Sequence, residues 1–256
     1  MKKHPTHHHP VLTPPEMERR TRLDSEQDRL ALFLRTALLS REVVDCSLSD
    51  AISRIFSLQE CIDPDERAGV ERFISGCFES EHGAHITHFM PRLFRLVTRR
   101  GELAAAFGTR CAGSERLFLE NYLDQPIELE LAMRLGYVPA RNKIVEVGNL
   151  AAALPGAVRW LIVALTVRLY QEGYEWVVFT GTQELRNGFH RLGLRPITLH
   201  VADVNRLDEA ERDQWGSYYA NNPLVMAGNI GYGYDEMKSF VRFPKPGEVC
   251  SEMEER

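Results

Sequence analysis

With 256 residues, 44% hydrophobic and 26% charged, the chain can bury one large core or two small ones, and its composition excludes a disordered or fibrous protein. A net charge of −5 and a pI near 6.0 provide no global field for nucleic acid. Five cysteines without a C-x-x-C pair argue against a disulfide framework and predict reduced thiols in a cytoplasmic protein.

Residues 1–23 mix proline, histidine and charge without apolar periodicity, so they read as a mobile tail, and no h-region marks a secretory signal. His7, His8 and His9 belong to that tail and are assigned no metal. A helix is predicted from Asp24 or Ser25, with Leu30, Phe33, Leu34, Ala37 and Leu38 on one face, and a second short helix near 49–58 carrying Ile52, Ile55 and Phe56. Residues 1–62 are thus a tail with a helical extension. Asp63, Pro64 and Glu66 supply an N-cap, a proline at N1 and an acid at N3. The main domain is predicted to start there and span 63–240, with no strand of its sheet upstream and a charged tail over 241–256. Its first helix shows Val70, Phe73, Ile74, Cys77 and Phe78 on one face and ends at His82-Gly83. His82, His85 and His88 recur every third residue, but Gly83 and Pro91 break the helix that would align them, and no metal site is assigned.

LFRLVTRRGELAAAFGTRCA at 93–112 predicts a hairpin turning at Arg100-Gly101, with Arg110 at the far end of its second strand as a candidate clamp for a carboxylate or phosphate. Residues 114–136 mix aromatics and acids, among them Glu120, Tyr122 and Glu128. They read either as a cleft cover whose carboxylates hold an amine or as a charged amphipathic helix broken at Pro126.

KIVEVGNLAAALPG at 143–156 is the stretch most suggestive of chemistry. Ile144, Val145 and Val147 form a strand pattern around a single acid, Glu146. After Asn149, small residues predict a loop with unobstructed amides, leading to a helix that begins near Ala157, where an anion would be favoured. The alternative is an ordinary strand-to-helix connection with Glu146 solvated at an edge. The helix at 157–172 is apolar almost all round, yet too short and too interrupted by Arg159 and Arg168 to span a bilayer. EWVVFT at 175–180 completes a β-α-β crossover, a helix follows over Thr182–Gly193, and RPITLHVAD supplies a further strand. WGSYYANNPLVMAGNIGYG at 215–233 adds aromatics, turns and a last strand.

The phrases ERLFLENYLDQPIE, IVEVGNLAA, WVVFTGT with LRNGFHRLGL, and WGSYY followed by NPLVMAGNI resemble the bacterial thermostable hemolysin family over about residues 66–235. Domains of that family are similar to GNAT-type acyltransferases and particularly to acyl-homoserine-lactone synthases. The resemblance implies an α/β fold: a GNAT-like mixed β-sheet with helices on both faces and splayed central strands, carrying an N-terminal helical extension. Glu146 matches the synthases' strand glutamate, and Gly108-Thr109-Arg110 loosely matches their substrate strand. Asn149 and Leu150 stand where those enzymes have arginine and an aromatic, and Phe189 stands where many acetyltransferases have a tyrosine acid.

The implied activity is N-acyl transfer of an acyl group, expected to be fatty acyl, from a thioester, acyl-CoA or acyl carrier protein, to a small amine or amino-acid-like acceptor, with no tightly bound cofactor. Glu146 and Asn149 are then the expected catalytic residues. Leu150, Ala151, Ala152, Gly156, Ala157 and Arg159 are expected at the donor, and Arg110, Glu120, Tyr122 and Glu128 at the acceptor. A non-catalytic, membrane-active or lipid-binding protein is the alternative, although no helix pairs a Lys/Arg-rich face with an apolar one.

Overall fold

The computed structural model describes residues 52–53, 55–153 and 156–240. The helix expected over 24–38, the histidine tail and the C-terminal tail lie outside the described residues. Among the described residues, seven strands form one sheet: β1 (Phe56–Glu60), β2 (Arg92–Thr98), β3 (Leu103–Cys111), β4 (Ile144–Ala152), β5 (Trp176–Gly181), β6 (Ile197–Val201) and β7 (Leu224–Asn229), in the order β1-β2-β3-β4-β5-β7-β6. All neighbours are antiparallel except β4 and β5, which are joined by a helical crossover. The main helices are α1 (Pro64–His82), α2 (Ile127–Leu135), α3 (Ala157–Gln171), α4 (Gln183–Arg191) and α5 (Ile230–Phe240).

Local chemistry starts and stops α1 where the sequence predicts. The Asp63 carboxylate accepts from the N–H groups of Asp65 and Glu66, and left-handed Gly83 closes α1. Glu66 does not complete a capping box, because it is drawn to Arg95 at 2.6 Å. α1 buries Val70 and Ile74 against Leu93, Ala106 and Ala151. The turn Phe118–Tyr122 and α2 cover the same face, through a cluster containing Tyr122, Ile127, Leu131, Ile144 and Val178. The opposite face carries α4, whose Phe189 ring packs tilted against Phe179 of β5 with centroids 4.9 Å apart, and α3, which packs against α4 and α5.

Three expectations need correction. Of the short helix expected near 49–58, Ile52–Ser53 are helical among the described residues, but Phe56–Glu60 is β1, an edge strand paired with β2, so the sheet starts upstream of Asp63. FSLQE alternates buried and more exposed positions, a period of two hidden within a stretch too short for periodicity to decide. The small-residue loop after Asn149 is instead the second half of β4, reaching Ala152. Small residues are needed there because α1 and the loop before β2 press on the strand. A Cβ on Gly148 would collide with the Met90 side chain. Finally, residues 230–240 form α5, which the aromatic and turn-like composition of that stretch disguised.

A candidate active site in the sheet gap

β4 and β5 pair only from Ile144↔Trp176 to Val147↔Phe179. Beyond this, β4 stays with β3 as far as Ala152, while β5 stays with β7 as far as Gly181. The divergence is built into β4 by a bulge: Gly148 faces Gly108 but Ala151 already faces Ala106, and between them Asn149 takes a left-handed φ of 51°. Asparagine is among the few side chains that adopt this conformation readily. Its amide is also used, because Oδ1 accepts from Met90 N–H at 2.7 Å and Nδ2 donates to His88 O at 3.3 Å. Asn149 therefore ties the segment before β2 to the bulge.

Ala153 N–H donates to Ala104 O, so residues 153 and 151 turn their backbone groups toward β3. Alternation then turns the N–H groups of Leu150 and Ala152 into the gap, where β5 no longer meets them. A cavity of about 790 Å³ fills the opening. It is lined by both Glu146 and Val147, neighbours that point to opposite faces of the sheet, so it reaches through the sheet.

On the α1 face the lining is polar and aromatic, with Glu146, Arg110, His82, Tyr122, Trp215 and Tyr218. Glu146 is 3% exposed. Its Oε2 accepts from Phe118 N–H and its Oε1 from Leu119 N–H, both at 2.9 Å, which anchors the turn Phe118–Tyr122. Burial nevertheless dominates these bonds and the nearby positive charge of Arg110, and pushes its carboxyl up to about 7. Arg110 lies directly across from it in the β3–β4 register. The Arg110 Nε is buried without a hydrogen-bond partner, its nearest acid being Glu115 at 3.7 Å.

Glu120 is the instructive contrast. It too is buried and accepts two backbone N–H groups, from Leu117 and Ile127, but Arg141 also grips it at 2.7 and 2.8 Å. Burial works against its charge, yet Arg141 and the two amides outweigh it and hold this carboxyl below the usual range. Two carboxylates in similar seats are thus driven apart by one guanidinium, leaving Glu146 as the one suited to exchange a proton near neutrality.

The sequence-derived residues are therefore sorted by the fold. Glu146, Asn149, Leu150, Ala151, Ala152, Gly156, Arg159, Arg110 and Tyr122 line the cavity, whereas Ala157, Glu120 and Glu128 do not. Glu120 and Glu128 are instead partners of Arg141, and Ala157 is buried in the first turn of α3. Asn149 enters as the bulge residue, its side chain occupied by the 88–90 segment. Sequence reasoning missed His82, Trp215, Tyr218 and Tyr219 as lining residues. The WGSYY phrase held the signal. Gly216 has φ 50° and approaches the end of α1 so closely that a Cβ would strike His82 O, while Ser217 N–H donates to that same carbonyl at 2.8 Å. The motif thereby docks its rings over the cavity, where the Tyr219 hydroxyl meets that of Tyr122. Among the described residues, no three His, Cys, Asp or Glu side chains gather to hold a metal.

A family model described as thermostable hemolysin matches residues 62–234. The chain belongs to the thermostable hemolysin family. No curated protein matches this hemolysin-family chain in sequence. Among solved structures it is similar to FeeM, an N-acyl amino acid synthase from uncultured soil microbes, with a TM-score of 0.50 and 15% identity over 71% of this chain and 94% of that one. It also matches BjaI, a CoA-dependent acyl-homoserine lactone synthase solved with SAM and isopentyl-CoA, with a TM-score of 0.48 and 10% identity over 75% and 90% of the two chains. At 15% identity the FeeM likeness establishes the fold: this hemolysin-family chain is a GNAT-like mixed sheet with helices on both faces and splayed central strands.

Proposed function

We propose that the protein is an N-acyltransferase that moves an acyl group from a thioester donor, acyl-CoA or acyl carrier protein, to a small amine or amino-acid-like acceptor. One observation carries this reading: a buried carboxylate whose proton affinity is raised to near neutrality stands beside the diverging edge of β4, inside a cavity of about 790 Å³ that both line. The thioester lies along β4 beyond the bulge, its carbonyl oxygen facing the N–H groups of Leu150 and Ala152. Gly156 and Arg159, at the start of α3, lie toward the donor's phosphate. The acceptor occupies the α1 face, with a carboxylate, where it has one, facing Arg110.

Glu146 takes one proton from the acceptor's ammonium, and the freed nitrogen attacks the thioester carbon. The amides support the resulting oxyanion. Collapse breaks the C–S bond, and the second nitrogen proton leaves with the thiolate as a thiol. Ammonium and thioester thus become amide, thiol and one released proton. This resembles the chemistry named for the N-acyl amino acid synthase above.

The test is thiol release from acyl-CoA and acyl carrier protein thioesters across a panel of amino acids and amines, with the amide identified by mass spectrometry. No amide from any pair would sink the proposal. The membrane-active alternative is separated by dye release from liposomes with protein alone. Among the described residues, no helix is long and apolar enough to cross a membrane.

A further inference from the structure

Breakdown of the tetrahedral intermediate needs a route for the second nitrogen proton. Nitrogen and sulfur sit on the same carbon, so direct transfer between them passes through a strained four-membered ring. A hydroxyl that donates to sulfur while accepting from nitrogen replaces it with a relaxed six-membered one. The helix after β5 brings no such group, since Phe189 of α4 is a plain phenyl ring packed on Phe179.

Tyr218 reaches the cavity instead, from the connection between β6 and β7. Its ring is held by His82 and Trp215, each with centroids 5.3 Å away, and by Tyr219 and Phe78. Its hydroxyl donates to Thr180 O at 3.5 Å, a long bond that is readily given up. Thr180 is the first residue of β5 past its last pair with β4, Val147↔Phe179. In the same register Glu146 lies opposite Val178, and Val178 and Thr180 share one face of β5. The hydroxyl therefore stands on the β5 bank of the gap and Glu146 on the β4 bank, on the same face of the sheet. The hydroxyls of Tyr122 and Tyr219 are engaged with each other. Burial raises the Tyr218 phenol above the usual tyrosine range, so it carries its proton at neutral pH.

We infer that Tyr218 is the proton relay for C–S cleavage: as that bond breaks, its hydroxyl hydrogen passes to the departing sulfur and its oxygen takes the second proton from nitrogen. The phenol ends as it began, and amide and thiol are the products, so the overall acyl transfer is unchanged. The assignment rests on the acyltransferase reading above and adds a residue to it.

The test compares two donors, octanoyl-CoA and the octanoyl thioester of 4-nitrothiophenol, with the most active acceptor of the panel above. An alkyl thiol of the cysteine type has a pKa of about 8.5, raised further in apolar surroundings, so its sulfur leaves best with a proton. Nitrothiophenolate leaves without one. Tyr218→Phe keeps the ring and its contacts, and its thermal melt should match wild type. With background aminolysis subtracted, its turnover should fall about a hundredfold for octanoyl-CoA and less than about threefold for the aryl donor. Tyr219→Phe, which removes a hydroxyl of the same motif, should affect both donors equally. Equal losses for the two donors in Tyr218→Phe would overturn the relay, and a donor-dependent loss in Tyr219→Phe alone would overturn its assignment to Tyr218. If wild type transfers from neither donor to any acceptor, the acyltransferase reading falls and the relay with it.

Discussion

Glu146 combines two roles that a single substitution would disturb together. Its oxygens hold the Phe118 and Leu119 amides, and its proton affinity is raised to about 7 by burial. Glu146→Gln presents an NH₂ to one of two N–H donors, so it should lose roughly 1–3 kcal/mol of stability as well as turnover. The proton role is read separately, from pH. As base, Glu146 must be ionised, so wild-type turnover at saturating substrate should rise through about pH 7. Glu146→Gln should fall by on the order of 10²–10⁴ and recover partly at high pH, where more amine is already free. Wild-type turnover that is flat from pH 6 to 8 would remove Glu146 as base. The same shift makes a stability prediction of opposite slope. An acid raised in the fold from 4.5 to about 7 stabilises the native state below its unfolded value, and that contribution is lost as pH climbs through the folded value. Wild type should therefore lose about 3 kcal/mol relative to Glu146→Gln between roughly pH 4.5 and 7, a trend that denaturant melts of both proteins would expose. Arg141 tests the contrasting site. Arg141→Met leaves Glu120 buried without its cation and should cost about 3–5 kcal/mol, with Glu120→Gln in the same chain restoring much of it.

At the scale of the element, β4 is a strand modified to open a cleft. Its first half is β-branched and pairs on both sides, whereas its second half is small and pairs only with β3. The bulge at Asn149 separates the two. Asn149→Gly preserves the positive φ but loses both bonds to the 88–90 segment, so it should fold with modest destabilisation. Asn149→Val would be strained as well as unbonded, and should melt lower than the glycine variant. The donor site is better probed at Ala152 than at Gly156, because Gly156 has φ 78° and any side chain there adds backbone strain to bulk. Ala152→Leu should raise the donor KM several-fold more than the acceptor KM, and equal effects in steady-state kinetics would move the donor off this edge.

For the whole molecule, the outer strand β1 is bound into the sheet by more than backbone pairing. Arg92 of β2 and Arg168 of α3 share Glu60 and Glu172, linking the edge strand to a helix of the far face across Phe94. Arg92 holds both of these carboxyls below the usual range. A chain begun at Asp63 would lose β1, leave β2 as an unprotected edge and strand part of this network. It should therefore aggregate or melt well below full-length protein in a thermal scan. A cooperative melt at the full-length temperature would show that β1 is dispensable.

The sequence by itself determined the caps of α1, the Arg100-Gly101 hairpin, the strand nature of Ile144–Val147, the crossover through α3 and, by its phrases, the family. These are local signals: a carboxylate at an N-cap, a glycine that must turn, β-branched runs, an apolar helix. Glu146 was legible because it is the one acid among Ile144, Val145 and Val147. Tertiary structure alone decided that Glu120 and Glu128 face Arg141 and not the cavity, since nothing in the segment 114–136 reveals a guanidinium arriving from residue 141. It also decided that the small residues after Asn149 form a strand edge, because register with β3 and divergence from β5 depend on partners over forty residues away. The charge state of Glu146 belongs to the same class. An isolated glutamate is an ordinary acid, and only its burial under the segment 117–122 and within the sheet, which outweighs both the Phe118 and Leu119 amides and the charge of Arg110, shifts its proton affinity to neutrality.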